Sequence, residues 1–355
     1  MALVPQGPLN TVHNSLIFTV HKSPQMTSVG RSIMRAVLVR QFGGVEQMKV
    51  ENDVPIPSVG DKQVLIRVFI SGVNPVDTYI REGVFVVRPD LPYTPGYDGA
   101  GVVEAVGIRV TQFKPGDRVF TSHGTQIGTL AEFTCADETR VFPLDDKLTF
   151  TQGAGIGIPY FTAYRALFQK AHAKKGERVL IHGASGAVGL AAVQIGKAHG
   201  LCIVGTAGTK EGLELVKNMG ADAVFNHREK QYMSQLEQGE KFDVILEMLA
   251  NVNLGKDLTL MSPRGRTIVI GSRGTVTIDP RLLMGLESSV MGVALLTATP
   301  DEWKDLTAGV VEGIKAGWVK PIVDKVYTLE EAGNAHHDII NSKGAKGNLV
   351  VKVQD

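Results

Sequence analysis

Cysteine is close to absent. Cys135 and Cys202 are the two in 355 residues, too few for a disulfide scaffold or a C-x-x-C zinc cluster. Both are expected as reduced, buried core residues of an intracellular protein. No apolar run approaches the ~18 residues a membrane span requires, so the chain is expected to be soluble, with no membrane partner. An excess of one charge is missing too: 37 Lys and Arg stand against 36 Asp and Glu, a net charge of +1. That balance places no demand for nucleic acid or an anionic surface. Acidic residues are absent before Glu46, whereas Lys22, Arg31, Arg35 and Arg40 are present. Residues 1–33 therefore read as an extension outside the fold. It is either disordered, upstream of internal starts at Met26 or Met34, or a transit-like segment that would direct an otherwise cytoplasmic protein to mitochondria.

What is present is a chain long enough for two domains, 43% hydrophobic and 21% charged, ordinary values for a globular protein. Its most informative stretch is Arg178-Val-Leu-Ile-His-Gly-Ala-Ser-Gly-Ala-Val-Gly189. A short apolar run stops at glycines and opens a helical segment, Gly186 to Gly200. Strand, tight turn and helix in that order form the phosphate-gripping corner of a dinucleotide fold. The helix start leaves backbone N–H groups unpaired and carries roughly half a positive charge, and a pyrophosphate supplies the acceptors and the opposite sign. Ala184 stands where the first glycine of G-x-G-x-x-G would fall.

From Met34 to Phe142 the pattern is strand and turn, with turns at Gly43-Gly44, Pro55-Ile-Pro57, Pro95-Gly96 and Pro115-Gly116-Asp117. This predicts a mostly β domain over 34–152. Over 153–298 strands alternate with helices: Val179–Ile181, Cys202–Gly205, Ala223–Phe225, Val244–Met248 and Thr267–Ile270. Helical stretches include Glu211–Met219 and Lys230–Glu237. The alternation predicts an α/β, doubly wound parallel sheet. Residues 299–355 hold helical segments at Asp301–Ala316 and Leu329–Asn341 and a strand at Gly347–Val353, expected to return to the first domain. Ser288–Leu296 is expected at the sheet edge, where bare pairing groups favour a two-fold dimer.

In NAD-binding sheets an acid about 20 positions after the first glycine takes the ribose hydroxyls. Here Val204-Gly-Thr-Ala-Gly-Thr-Lys210 has no acid. With Lys210 and His227-Arg228 nearby, NADPH is expected over NADH, because charge-assisted bonds to phosphate contribute on the order of 1.5–3 kcal/mol each. Polar and glycine residues at two further strand ends, Ile270-Gly-Ser-Arg-Gly274 and Leu249-Ala-Asn-Val-Asn253, also point to a ligand. His123, His172, His182 and His336-His337 show no ligand spacing with cysteines or acids and read as surface or packed residues. The turn Lys343–Gly347 reads as a solvated loop.

Gly72-Val-Asn-Pro-Val-Asp-Thr-Tyr-Ile-Arg81, Leu91-Pro-Tyr-Thr-Pro-Gly96, Gly157-Ile-Pro-Tyr-Phe-Thr-Ala-Tyr-Arg-Ala166, Phe225-Asn-His-Arg-Glu229, Glu247-Met-Leu-Ala-Asn-Val-Asn253 and Gly271-Ser-Arg-Gly-Thr275 occur in this order around the glycine corner. From about residue 34 onward the chain resembles the zinc-independent, zeta-crystallin type of quinone oxidoreductase in the medium-chain dehydrogenase/reductase superfamily. The resemblance implies a Rossmann sheet domain, a GroES-like, mostly β catalytic domain, NADPH as cofactor, and quinone reduction in detoxification. It places Tyr79 beside the nicotinamide; Ser185, Gly186, Ala187 and Val188 on the pyrophosphate; and Gly208 and His227 around the adenosine phosphate, with Asn253 nearby. Ile270, Gly271, Ser272 and Arg273, with Val293, Ala294 and Leu295, are placed on the nicotinamide side. It also implies a homotetramer built from dimers, and leaves open an alkenal or enone double-bond reductase, an AU-rich messenger RNA-binding role, or a lens crystallin role on the same fold.

Zinc relatives in that superfamily hold the catalytic metal with Cys, His and Cys. Asn74, Tyr97 and Ile158 stand at those places here, and an amide, a phenol and an alkyl group do not make a zinc site. Zinc is therefore not expected. Tyr79 and Asn74 are the candidates for orienting or hydrogen-bonding a quinone, and Phe85 for packing on its ring.

Overall fold

The computed structural model describes residues 31–122 and 127–355. Residues 1–30 of the expected extension, and His123, lie outside the described residues. Arg31 pairs with Glu132 and the first strand starts at Ile33, so the fold includes the last residues of that extension.

The N-terminal half is built from β1 (Ile33–Val39), β2 (Met48–Pro55), β3 (Gln63–Val73), β4 (Asp98–Val106), β5 (Arg118–Ser122), β6 (Phe133–Asp137) and β7 (Val141–Pro143). β1 and β2 pair as a separate ribbon. β3 is the hub, flanked by β4 and β6 along its first half. Most of its residues are buried, and its near-continuous run of Val, Leu, Ile and Phe side chains suits a strand covered on both faces.

A second sheet follows: β8 (Arg178–Ile181), β9 (Cys202–Ala207), β10 (Ala223–Asn226), β11 (Phe242–Glu247), β12 (Met261–Val269) and β13 (Ser289–Gly292). The order is β10-β9-β8-β11-β12-β13, and every pair is parallel. Chain order reverses between β8 and β11, which makes the crevice beyond their carboxyl ends the expected ligand position. Val179, Leu180 and Ile181 have no exposed surface, and the helix Ala187–Ala198 buries Leu190, Ala191, Ala192, Val193 and Ile195 beside them. Its small residues let helix and strand approach closely.

The tail supplies β14 (Val323–Thr328) and β15 (Asn348–Lys352), and β15 pairs antiparallel with β3. Tyr327, Leu329, Leu349 and Val351 share one core with Val64, Ile66, Val103 and Val119. At roughly 1.5–3 kcal/mol per buried aliphatic side chain, this anchors the tail on the N-terminal sheet. A continuous cluster from Phe120, Phe142 and Phe161 to Ile181, Leu190 and Trp303 crosses between the two sheets. No helix among the described residues is long and apolar enough to cross a membrane.

Two helices, Ala250–Leu260 and Pro280–Leu286, and strand β14 were not expected. Asn251, Asn253 and Gly255 have poor intrinsic helix propensity; burial of Leu254, Leu258 and Leu260 supplies what the local sequence does not. Cys135 is buried, but Cys202, at the start of β9, is exposed, contrary to expectation.

Candidate functional site

The chain leaves β8 through His182 and turns at Gly183, where φ is +58°. Gly186 then caps the helix Ala187–Ala198 in an extended conformation, with no side-chain cap bond at the helix start among the described residues. The first N–H groups are thus left to a ligand. A Cβ at Gly189 would meet the Gly183 carbonyl and the Ala184 Cα at 2.6 Å, so the close approach of turn and helix depends on glycine there. The turn Lys343–Gly347 is exposed at Lys343 and Ala345, as a solvated loop would be, but it is anchored at its end. Gly347 N–H donates to the Ser185 carbonyl at 2.8 Å and Gly344 packs on Thr209, which sets Lys343 and Lys346 beside the glycine corner.

At the end of β9, Gly208 lies under two side chains from the turn after β10. A Cβ on it would come within 2.7 Å of His227 Nε2 and 2.9 Å of Arg228 Nε. Burial, aided by the Arg228 charge, lowers the His227 pKa. Lys210 does not join them: its side chain is 85% exposed, 4.0 Å from Glu214. Arg228 and His227 are the groups at this corner that can meet an anion.

Between the sheets lies a cavity of about 300 Å³. One wall carries Asn74, Tyr79 and Phe85; the other carries Val188, Ile270, Gly271, Ser272, Arg273, Val293, Ala294 and Leu295. The sequence-predicted nicotinamide-side residues thus come together. Tyr79 sits on the helix Pro75–Arg81, and its hydroxyl has no hydrogen-bond partner among the described residues. Its carbonyl accepts from Val84 and Phe85 N–H at 3.0 and 3.3 Å, folding that segment back over the cavity. Asn74 is pinned by its side-chain amide, which donates to Asp98 Oδ2 at 2.9 Å. Asp98 also accepts from Ile158 N–H at 2.9 Å. Burial raises its carboxyl to about 6 against those bonds. Asp77, equally buried, accepts from Asn74 N–H at 2.8 Å and is raised by burial to about 8.

Two family models match: the alcohol dehydrogenase GroES-like domain over residues 60–146 and the zinc-binding dehydrogenase over 187–312. A quinone oxidoreductase of Homo sapiens is 53% identical over 327 residues, spanning 91% of this chain and 99% of that protein. One from Sus scrofa is likewise 53% identical, with the same coverage. The chain belongs to the quinone oxidoreductase family of medium-chain dehydrogenase/reductases. A mycobacterial member of that fold, solved in complex with NADPH, superposes with a TM-score of 0.80 at 28% identity, covering 90% of this chain and 99% of the other.

A zinc family model raises the question of zinc in this member. Asn74, Tyr97 and Ile158, the side chains at the ligand positions, do line one cavity. Their donor set does not suit zinc: the amide is engaged by Asp98, a phenol is a poor neutral ligand, and Ile158 offers no donor. No step is assigned to a metal there.

Other residues have partners that the sequence does not show. Asn253 faces inward, its amide donating to Glu247 Oε1 at 3.2 Å. His182, expected as a surface or packed residue, is packed, with Asp257 Oδ1 2.9 Å from its Nε2 and Glu247 Oε2 at 3.7 Å. Spacing missed them because the partners lie 75 and 65 positions away. Thr162 and Met248 also line the cavity unforeseen, as does Leu296. Only the count along the helix after Gly157 could have flagged Thr162.

Proposed function

We propose that this protein uses NADPH to reduce quinones without zinc. The carrying observation is the cavity in which Tyr79 and Asn74 face the residues Ile270 to Arg273 and Val293 to Leu295, next to an uncapped, glycine-built helix start. When bound, the nicotinamide supplies hydride. The chain's own part is to hold and orient. Backbone N–H groups of Gly186 to Val188 and the nearby Ser185 take the pyrophosphate, and His227 with Arg228 over Gly208 takes the 2′-phosphate. The mostly apolar wall of Phe85, Ile158 and Leu295 packs on a planar acceptor and excludes water. A quinone is electron-poor and spreads the incoming charge over its oxygens. Positioning and a neutral donor at Tyr79 or Asn74 therefore suffice.

The β13 edge, Ser289–Gly292, has a partner strand on one side only among the described residues. It is proposed as the seam of a homodimer, with a tetramer assembled from two such pairs; sedimentation at micromolar concentration tests this, and a monomer refutes it. For the activity, purified protein with NADPH and a panel of ortho-quinones, para-quinones and enones is assayed under a metal chelator. Quinone turnover that the chelator leaves unchanged is expected. Activity confined to enones would redirect the reading to double-bond reduction, and loss on chelation would overturn the metal-free mechanism.

A further inference from the structure

The crevice between β8 and β11 contains a second group of titratable side chains that the reaction does not use. His182 follows β8 and directly precedes Gly183 of the phosphate turn; Glu247 ends β11; Asp257 projects from the helix Ala250–Leu260. Their ligand atoms lie within 4.8 Å of one another, and both carboxylates have no exposed surface. Glu247 Oε1 holds the following turn: it accepts from Leu249 N–H and from the Asn253 amide. Glu247 Oε2 and Asp257 Oδ2 have no protein donor among the described residues.

Two dry carboxylates beside one imidazole do not carry two negative charges cheaply. A proton on His182 satisfies Asp257; a second, held between Glu247 and Asp257, gives the two remaining oxygens a bond and makes the cluster neutral. We infer that His182, Glu247 and Asp257 form a buried, proton-holding unit that positions the turn Met248–Asn253 for the dinucleotide. Loss of its second proton places a negative charge behind the phosphate corner and weakens cofactor binding. The inference rests on the proposal that NADPH docks at that corner.

The neighbouring surfaces favour the same division. Met248 lies against Gly183, and its carbonyl against Gly271, so a shift of this turn reaches both the phosphate and nicotinamide ends. Burial pushes the Glu247 carboxyl well above the ordinary carboxylate range, with Asp257 adding to it and His182 opposing. Burial works against a proton on His182, but the Asp257 bond and the charges of Asp257 and Glu247 outweigh it. Three further groups face the cluster from the elements around it. Lys256 is a cation on the same helix. His227, after β10, is held neutral by burial. Tyr232, on the helix Tyr232–Gln238, is held protonated by burial. Neither His227 nor Tyr232 gains charge as pH rises from neutral to mildly alkaline.

The test is an NADPH fluorescence titration of the full chain at intervals from about pH 6 to about pH 9, for wild type, Glu247→Gln and Glu247→Ala. Wild-type Kd should rise about tenfold across that range. E247Q, isosteric with the protonated acid, should bind within about twofold of wild type at the acid end and keep that affinity at the alkaline end, while E247A should bind weakly throughout. The 2′-phosphate titrates near pH 6 in all three titrations, so the difference between profiles is the readout. Should E247Q not fold, Asp257→Asn should give the same flattened profile. A flat wild-type profile, E247Q tracking E247A, or a stoichiometric divalent cation in the purified protein overturns the inference. Absence of NADPH binding at every pH refutes the cofactor proposal itself and this unit with it, and is recognised by that difference.

Discussion

The two walls of the cleft present themselves to a ligand in opposite ways. The parallel-sheet wall offers backbone: the uncapped start of the helix Ala187–Ala198, with Gly189 pressed against Gly183 and Ala184. The antiparallel wall offers side chains: Asn74, whose position is set by two buried carboxyls behind it, and Tyr79, carried on the helix Pro75–Arg81. A wall made of backbone tolerates almost no change in residue type but recognises a common chemical group, phosphate. One made of side chains can vary with the acceptor, provided the supporting network stays intact. The first wall should therefore govern cofactor affinity, and the second acceptor turnover.

The sharpest way to break that division is Gly189→Val. Its added atoms meet backbone at 2.6 Å or closer; NADPH affinity measured by fluorescence should fall by far more than tenfold, along with folded yield. Arg228→Ala comes next. Removing one charge-assisted phosphate bond should raise the NADPH Kd roughly tenfold to a hundredfold and leave NADH binding nearly unchanged. Equal losses for both cofactors would deny Arg228 a role in phosphate recognition. On the opposite wall, Tyr79→Phe should lower kcat/KM for quinones about threefold to tenfold, the size of one neutral hydrogen bond, with NADPH affinity intact. Unchanged turnover would remove its hydroxyl from the reaction.

A prediction of a different kind, on stability rather than on binding or turnover, concerns Asp77. Its carboxyl is raised by burial to about 8 in the folded protein, against 3.8 for an ordinary aspartate. The native state thus holds a proton that the unfolded chain releases, and the contribution of this group falls as pH rises from about 4 to about 8. Asp77→Asn should therefore raise Tm relative to wild type more at pH 9 than at pH 5, by calorimetry. A difference independent of pH would mean that Asp77 is ionised in the fold.

The same contrast explains what the sequence revealed. Glycines 183, 186 and 189 are legible because backbone recognition restricts residue type, and the apolar strands beside them follow a period that reads directly. Tyr79 and Asn74 emerged through the family pattern around them. Asp77 and Asp98 did not emerge as supports, because a carboxyl acquires that role through burial and partners brought together only by the fold. His182 shows the limit most clearly: Glu247 and Asp257 reach it across a parallel sheet whose connections are long by construction. The loop Lys343–Gly347 is solvated at Lys343 and Ala345, but its anchor was illegible for a related reason. Its composition is that of a solvated turn, and its contact with Ser185 arises from the pairing of β15 with β3.

The most direct test of the central claim is a calorimetric titration of the chelator-treated protein with NADPH and, separately, NADH. Stoichiometric binding of NADPH, at least about tenfold tighter than NADH and indifferent to chelation, is the predicted result. Equal affinity for the two cofactors, or binding lost with the removal of metal, would contradict it.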